Sequence, residues 1–162
     1  MCYNDTKTAK KEKSMDIKIY QTLPPEAREI RTVVFVEEQG FQEEFDTTDK
    51  IATHLVLFHA QTPAAVCRVF FDEDMGLYLV GRVAVRKEFR GSGLGAAIMQ
   101  AAEEQVRRMG GTALHLHAQC RITPFYEAIG YHSYGPIEDD QGCPHIWMKK
   151  ELSQGIVGFA DN

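Results

Sequence analysis

The sequence VAVRKEFRGSGLG occupies residues 83–95 and joins an apolar run to a long amphipathic segment. The apolar run, Leu77–Val85, has the composition of a buried strand, and Leu94–Met109 carries apolar residues at helical spacing. Three glycines in five positions therefore stand between a strand and a helix start. Glycine lets backbone N–H groups approach an anion, and a helix N-terminus adds unpaired donors and partial positive charge. The stretch predicts a phosphate-binding turn.

Arg90 strengthens this prediction because it adds a cation directly before the glycines. A guanidinium group suits phosphate well, since its planar set of donors matches two phosphate oxygens at once. The alternative is a tight strand-to-helix turn that binds nothing, and it leaves the arginine without a role.

A nicotinamide dinucleotide is a second candidate ligand, because Gly91-x-Gly93-x-x-Ala96 matches the dinucleotide fingerprint. That fingerprint requires an acidic residue about 20 positions later to hold the ribose. The corresponding stretch, Leu114–Gln119, contains no acid. A Walker A loop is excluded because no Gly-Lys-Ser/Thr ending follows the glycines. NAD is therefore the weaker candidate.

Hydrophobic periodicity on both sides of the turn predicts an α/β (α+β) domain with the element order β-α-β-β-β-α-β-α-β-β. Seven segments have strand patterns: Met15–Gln21, His54–His59, Ala64–Phe71, Leu77–Val85, Thr112–Ala118, Tyr131–Tyr134 and His145–Leu152. Three have helical patterns: Glu26–Glu38, Leu94–Met109 and Thr123–Ile129. Short turns favour antiparallel pairing, Gly81 predicts a bulge, and Gly135–Pro144 is predicted to be a loop. We expect a mixed, mostly antiparallel sheet flanked by helices.

The composition is that of one globular domain, with 162 residues of which 44% are hydrophobic and 25% charged. The predicted elements span residues 15–152, while residues 1–14 form a disordered N-terminal extension and residues 153–162 a C-terminal tail. No apolar run approaches the roughly 18 residues of a membrane span, and the N-terminus lacks a secretory signal. We therefore expect a cytoplasmic protein without a membrane partner. The net charge of −5 disfavours nucleic acid as a partner.

Two motifs together resemble the GNAT superfamily of N-acetyltransferases. The first is the segment 83–95, and the second is Phe125-Tyr126-Glu127-x-x-Gly130-Tyr131, at the separation typical of that superfamily. The segments 31–39 and 144–148 also resemble a bacterial subgroup whose substrates are mostly unassigned. The resemblance covers the chain from about Asp16 to Leu152, and its fold has the same element order.

The resemblance implies acetyl-CoA as cosubstrate, with its pantetheine arm beside one strand and its pyrophosphate on the glycine turn. By matching position, the cofactor-binding residues are Val83, Ala84, Val85, Arg90, Gly91, Ser92, Gly93, Leu94, Gly95 and Gln119. Gln119 stands where the family often has asparagine, and Ile122 where it often has alanine. The contacts on the pantetheine side are therefore the less certain part of this prediction.

Transfer of an acetyl group to an amine needs a neutral amine, a stabilised oxyanion and a proton for the departing thiolate. Tyr126 is the candidate general acid, since a phenol is protonated at neutral pH and the family often has this tyrosine beside the sulfur. A backbone N–H freed by a bulge near Val83 is the candidate for the oxyanion. The candidate bases are Glu38, His54, His117 and His145, of which we favour Glu38 and His117. Each candidate also has a purely structural explanation.

Other clusters suggest further partners. His115-x-His117 with Cys120, Cys143 and His145 invites a zinc site, but the compact spacings of structural zinc are absent, so no metal is predicted. The acidic segment formed by Glu37, Glu38, Glu43, Glu44, Asp46 and Asp49 is either a solvated loop or a surface that steers a cationic acceptor. Exposed strands near the C-terminus could pair in a homodimer.

These observations favour an acetyl-CoA-dependent N-acetyltransferase in which a primary amine attacks the thioester directly, within a ternary complex. The acceptor would be a small-molecule or peptide amine, and the acidic segment would suit a cationic one. Two other functions stay open: a CoA-binding sensor or regulatory module with little transfer activity, and an NAD-dependent oxidoreductase.

Overall fold

The computed structural model describes residues 14–42 and 44–153, and all structural statements concern these residues. Their seven strands are β1 (Met15–Tyr20), β2 (Thr53–His59), β3 (Thr62–Asp72), β4 (Leu77–Val85), β5 (Ala113–Gln119), β6 (His132–Asp140) and β7 (Cys143–Glu151). The three α-helices are α1 (Pro25–Arg31), α2 (Leu94–Arg108) and α3 (Thr123–Ala128). None of the helices in these residues is long and apolar enough to cross a bilayer. The predicted disordered extension and C-terminal tail lie almost wholly outside the described residues and stay predictions.

All seven strands belong to one sheet with the order β1-β2-β3-β4-β5-β7-β6. Every neighbouring pair is antiparallel except β4 and β5, which are parallel and joined through α2. The β2–β3 turn consists of Ala60 and Gln61, both at positive φ, as tight hairpin turns require. The predicted fold class, a mixed and mostly antiparallel sheet with flanking helices, is confirmed.

The parallel pair β4–β5 is the point where the sheet opens. Its register is defined by a single pair, Leu79 opposite His115. From there β4 continues to Val85 and β5 to Gln119 with no further pairing between them in the described chain. A gap therefore forms in the middle of the sheet, at the carboxyl ends of the two strands.

Helices cover both faces of the sheet, so the central strands are apolar on both sides. On β2, Leu55 and Leu57 belong to the core under α2, whereas Val56 between them belongs to the core under α1. The α2 stripe consists of Leu94, Ile98, Met99, Ala102 and Val106, each at most 2% exposed. Full burial of one such aliphatic side chain stabilises the fold by about 1.5–3 kcal/mol. The two cores hold the strand ends around the gap in fixed positions.

The first predicted helix is correct in position but changes its geometry midway. It begins at Pro25, where a missing N–H costs nothing, and is α-helical only to Arg31. From Thr32 to Glu38 it is a π-helix, and Gly40 at φ +77° follows its end as predicted. The wider turns of a π-helix occur most often at functional sites, and this one ends at the gap.

The predicted loop Gly135–Pro144 is wrong. The strand β6 continues to Asp140, β7 begins at Cys143, and a two-residue turn of Gln141 (φ +52°) and Gly142 (φ +79°) joins them. An irregularity conceals the strand in the sequence, since the register jumps from Tyr134 opposite Trp147 to Glu138 opposite His145. The extra β6 residues break the alternation that predicts a strand.

The predicted bulge lies one position beyond Gly81. The register of β3 and β4 shifts between Arg68 opposite Gly81 and Val66 opposite Ala84, so two β4 residues, Arg82 and Val83, face one β3 residue. Arg82 is the residue in the left-handed region, at φ +53°. A non-glycine residue at positive φ is strained and needs support from its surroundings.

Candidate active site

Two cavities meet in the gap between β4 and β5. The larger has a cavity volume of about 1040 Å³ and extends over the glycine turn, while the smaller has about 130 Å³ and lies on the side of β7. Seven residues line both and form the junction between them: Gln39, Phe41, Val83, Gln119, Ile122, Tyr126 and Gln141. A molecule in the larger cavity can therefore meet a molecule in the smaller one at this junction.

The glycine turn forms one wall of the larger cavity. Gly91 (φ +81°) and Gly93 (φ +84°) adopt conformations that L side chains rarely allow, and a methyl group added at either would meet no atom within 4 Å. At Gly95, by contrast, an added Cβ would lie 3.1 Å from the Phe125 ring, so this glycine permits close packing of α2 against α3. The turn thus leaves open space directly before the N-terminus of α2, where unpaired N–H groups and the helix dipole favour an anion.

The structure brings the predicted cofactor residues together. Nine of the ten line the larger cavity: Val83, Ala84, Val85, Arg90, Gly91, Gly93, Leu94, Gly95 and Gln119. Ser92 is the exception, and its hydroxyl donates a hydrogen bond to the Phe89 carbonyl over 2.6 Å, which stabilises the turn itself.

Glu38, one of the two favoured bases, lies in the larger cavity and not in the smaller one. Its carboxylate accepts a hydrogen bond of 2.9 Å from Arg90 Nη2, and Arg90 Nε donates to the Val85 carbonyl over 2.9 Å. The end of the π-helix is thereby linked to the glycine turn. Both partners are partly exposed, so this ion pair contributes little to stability.

Tyr126 stands at the junction of the cavities and is 5% exposed. Burial raises its pKa above the usual value, with a smaller contribution from Cys67 nearby, so the phenol keeps its proton at neutral pH. Its ring packs edge-on against Phe125 and Tyr131, which fix the direction of the side chain. The structure thus presents a protonated hydroxyl-bearing residue where the two cavities meet.

Two histidines line the smaller cavity. His117 stacks on Trp147 with ring centroids 4.7 Å apart, and the ring of His145 is 5.0 Å away. His145 Nδ1 lies 2.8 Å from the Cys143 carbonyl, and because a carbonyl only accepts, that nitrogen carries the proton in the neutral ring and Nε2 is an acceptor. Burial lowers the pKa of His117, and the neighbouring His145 lowers it further, although two carboxylates oppose the shift. His117 is therefore neutral at pH 7, as a proton acceptor must be.

The remaining histidine candidates have structural positions. His54 is 1% exposed, lines neither cavity, and has Nε2 2.9 Å from the Asp49 carbonyl, so its prediction as a base is wrong. His115 Nδ1 lies 2.8 Å from the Tyr134 hydroxyl. Within the described residues, the histidines and cysteines considered for zinc form no group of three or more metal ligands.

The acidic segment after the first helix is only partly solvated: Glu44 and Asp49 are buried, whereas Glu37, Glu38 and Asp46 are exposed. Three of its carboxylates pair with three arginines from separate elements. The pairs are Arg31 with Glu44 (2.7 Å) and Asp49 (2.7 Å), Arg68 with Asp46 (2.6 Å) and Asp49 (2.9 Å), and Arg82 with Glu44 (3.0 Å) and Asp46 (3.4 Å). We call these six residues the ion network. Burial alone would raise the pKa of Asp49, but hydrogen bonds from Arg31 and Arg68 outweigh it and lower the pKa to about 2.

The ion network reaches the site through Arg82, the strained residue of the bulge. Its Nε and Nη2 both donate to the Glu44 carbonyl over 3.1 Å, and the residue lines the smaller cavity. Sequence reasoning missed Arg82, and the only hint was its position after Gly81. It also missed other lining residues of the smaller cavity: Phe35, Phe41, Asp140 and Gln141. Asp140 and Gln141 arrive there on the hairpin that was predicted to be a loop.

Comparisons with known proteins agree with this geometry. The sequence model of the acetyltransferase (GNAT) domain matches residues 20–152. A candidate acetyltransferase of Bacillus subtilis is 35% identical over 130 residues, which cover 77% of this chain and 87% of that protein. The crystal structure of a candidate N-acetyltransferase from Lactobacillus plantarum is similar with a TM-score of 0.77 and 32% identity, covering 86% of this chain and 99% of the other. An acyl-CoA N-acyltransferase from Pseudomonas aeruginosa has a TM-score of 0.75 and 26% identity, with coverages of 85% and 99%.

Proposed function

Because this chain belongs to the GNAT acetyltransferase family, we propose that it is an enzyme that transfers an acetyl group from acetyl-CoA to a primary amine. The observation that carries the proposal is the junction of the two cavities at Tyr126. One cavity has the backbone donors that a diphosphate needs, and the other has His117, whose lowered pKa lets it accept a proton at neutral pH. Membership of the family supports acyl transfer in general, and the acetyl group and the amine are part of the proposal.

We propose that the larger cavity holds the cosubstrate along its whole length. The N–H groups at the start of α2 and the turn from Arg90 to Gly95 bind the diphosphate, where the helix dipole favours negative charge. The unpaired edge of Val83–Val85 offers backbone hydrogen bonds to the amide-bearing arm, and Gln119 faces it from β5. The fit is supported by the open space at Gly91 and Gly93.

The chemistry proposed for the junction uses residues on both sides of it. The amine nitrogen attacks the thioester carbonyl carbon, the C–S bond breaks, and the amine proton passes to a base. The bulge at Arg82 and Val83 frees a backbone N–H to stabilise the carbonyl oxygen as it gains charge. The Tyr126 hydroxyl faces the departing sulfur and stabilises it by donating a hydrogen bond and then a proton; its raised pKa means that the phenol is protonated before the reaction.

Of the two favoured bases, His117 has the better supported position. It lines the smaller cavity, where the amine would enter, and its lowered pKa keeps it neutral. Its neighbour His145 has an acceptor Nε2 and remains a second candidate. Glu38 pairs with Arg90 in the larger cavity, so we propose that it orients Arg90 and that a direct catalytic role is less favoured.

Release of free thiol from acetyl-CoA in the presence of amines tests the proposal. We expect amine-dependent release by the wild-type protein, and a turnover about 100-fold lower for Tyr126→Phe with unchanged affinity for acetyl-CoA. Tyr20→Phe is the matched control, because Tyr20 lies on β1 and lines neither cavity.

Two results would contradict the proposal. Binding of acetyl-CoA without release by any amine would favour a CoA-binding sensor, and stronger thermal stabilisation by NAD than by CoA would favour an oxidoreductase. Unchanged turnover in Tyr126→Phe would remove the tyrosine from the mechanism while leaving the overall activity intact.

A further inference from the structure

The charges that line the smaller cavity leave an excess of negative charge. The ion network contains three arginines and three carboxylates, so its charges balance. Among the described residues, the only cation on the cavity wall is Arg82, and it belongs to this network. Charge outside the network therefore decides what the cavity attracts.

That charge comes from the β6 arm of the hairpin. Asp140 lines the smaller cavity, and Glu138, two residues earlier, has a carboxylate oxygen 3.4 Å from His117 Nε2. Alternation along a strand places both residues on one face, and both carboxylates act electrostatically on His117. Asp139, between them, instead accepts the Gly142 N–H over 3.0 Å. One carboxylate outside the ion network, Asp140, thus lines the cavity, Glu138 lies beside it at His117, and the described lining offers no free cation to balance them.

One buried ring nitrogen and one acceptor nitrogen at the same place favour a polar ligand. His117 Nε2 is buried and has no hydrogen-bond partner, and its contact with Glu138 at 3.4 Å lacks hydrogen-bond geometry. His145 lines the cavity, and because its Nδ1 lies at the Cys143 carbonyl, its Nε2 is an acceptor. A buried nitrogen without a partner is costly, so a donor such as an amine would be stabilising beside these rings.

We propose that the acceptor is a compact amine with a second cationic group and without carboxylate or phosphate, and that Glu138 and Asp140 select it. This inference rests on the proposed function. The amino group that is acetylated reaches the junction and gives its proton to the histidine pair. The second group stays protonated and pairs with the carboxylates of the hairpin. The cavity volume of about 130 Å³ suits a short aliphatic diamine better than a folded peptide segment.

A carboxylate on the acceptor would find no unpaired cation among the described lining residues with which to form an ion pair. Arg82 already directs Nε and Nη2 to the Glu44 carbonyl and pairs with the carboxylates of Glu44 and Asp46. An anionic acceptor would have to compete with these groups and would also face Asp140. Selection by charge therefore works against amino acids as well as for diamines.

Three acceptors with four carbon atoms each test the proposal: 1,4-diaminobutane, 1-aminobutane and 4-aminobutanoate. We expect kcat/KM for thiol release to decrease in that order, and the advantage of the diamine over the monoamine to shrink at high salt. The double variant Glu138→Gln with Asp140→Asn is expected to lower the ratio of diamine to monoamine by about fivefold or more. Asp139→Asn is the matched control. It should keep the ratio of diamine to monoamine, since the Asp139 side chain lies on the face of β6 opposite to that of Glu138 and Asp140.

The possible failures are distinguishable. If 4-aminobutanoate is the best acceptor, or if the double variant keeps the wild-type ratio, the acceptor class is wrong while acetyl transfer stands. If no amine releases thiol, although calorimetry detects binding of acetyl-CoA, the proposed function fails and this inference fails with it. Thermal melting of all variants shows whether they are folded.

Discussion

The two cavities that meet at Tyr126 are built in different ways. Nine of the residues that line the larger cavity come from one contiguous segment, residues 83–95, whose backbone we propose binds the cosubstrate. The smaller cavity takes side chains from the π-helix, the bulge in β4, β5, and the hairpin of β6 and β7. A site made of contiguous backbone depends on glycine conformations, whereas a site made of distant side chains depends on ion pairs and strand register. We therefore expect mutations in the glycine turn to weaken cosubstrate binding, and mutations around the smaller cavity to lower turnover without changing that binding.

The largest expected effect is the loss of cosubstrate binding in Gly93→Val. Valine at φ +84° is strained, and its side chain would fill the open space before α2. Loss of several charge-assisted hydrogen bonds should weaken acetyl-CoA binding by about 100-fold or more. Isothermal titration calorimetry measures this directly.

Gly76→Val separates binding from backbone strain. Gly76 has φ +69° in the β3–β4 turn, has the same open surroundings, and lines neither cavity. Both variants should lose similar stability in thermal melts, but only Gly93→Val should lose affinity. Equal affinity in the two variants would show that the glycine turn does not bind the cosubstrate.

A smaller effect, on turnover alone, is expected at the bulge. Arg82→Ala removes the contacts to Glu44 and leaves a side chain at φ +53°, so the backbone N–H of Val83 loses its fixed direction. We expect kcat to fall about tenfold, which corresponds to about 1.4 kcal/mol, with an unchanged dissociation constant for acetyl-CoA. Steady-state kinetics and calorimetry together measure both quantities.

Arg82→Gly sharpens the comparison, because glycine accepts the same φ without strain. It should retain more turnover than Arg82→Ala if the role of Arg82 is to maintain the shape of the bulge. Arg108→Ala is the control, since Arg108 is exposed on α2 and pairs only weakly with Glu104 at 4.0 Å. A loss of acetyl-CoA affinity in Arg82→Ala equal to the loss of kcat would contradict the separation of the two cavities.

The smallest effect concerns pH. Burial and His145 lower the pKa of His117, so this histidine becomes protonated only below its ordinary pKa of about 6.5. If it accepts the amine proton, activity should be lost as pH falls through that lowered pKa and retained above it. Glu138→Gln removes a carboxylate that raises the pKa, so the acid limb should move to lower pH by less than about one unit.

The ratio of wild-type to His117→Gln turnover isolates this limb, because the ionisation of the acceptor amine cancels between the two proteins. His132→Gln is the control at an exposed histidine that lines neither cavity. An acid limb that persists unchanged in His117→Gln would assign it to another group, with His145 as the first candidate.

The same contrast explains how much of the site the sequence could predict. The turn from Arg90 to Gly95 acts through local conformations, and glycine spacing before a helix encodes these directly. The ion network joins Arg31 and Arg82 to Glu44 across separate elements, and no local pattern encodes which acid meets which arginine. The acidic segment therefore predicted a solvated or steering surface, whereas Glu44 and Asp49 are buried in ion pairs with arginines.

The fold was predictable for a related reason. The strands β2 to β4 are continuous apolar runs that are buried on both faces, and the helix α2 has its apolar residues at helical spacing, so each is visible in the sequence. The sequence predicts a strand shorter than β6, because an irregularity that contains Gly135 and Pro136 interrupts the alternation of apolar and polar residues. His54 was misjudged because its burial and its bond to the Asp49 carbonyl arise from tertiary packing.

A single register pair, Leu79 opposite His115, joins the two halves of the sheet, β1 to β4 and β5 to β7. Beyond Leu79 and His115, no strand pairing joins the facing edges of β4 and β5 in the described chain, so we expect the amides on these edges to exchange their hydrogens faster than those of a continuous ladder. If the cosubstrate binds in the gap as proposed, it should slow that exchange on both edges at once. Hydrogen–deuterium exchange can thus follow occupancy of the gap directly in the middle of the sheet, where a continuous ladder would be silent.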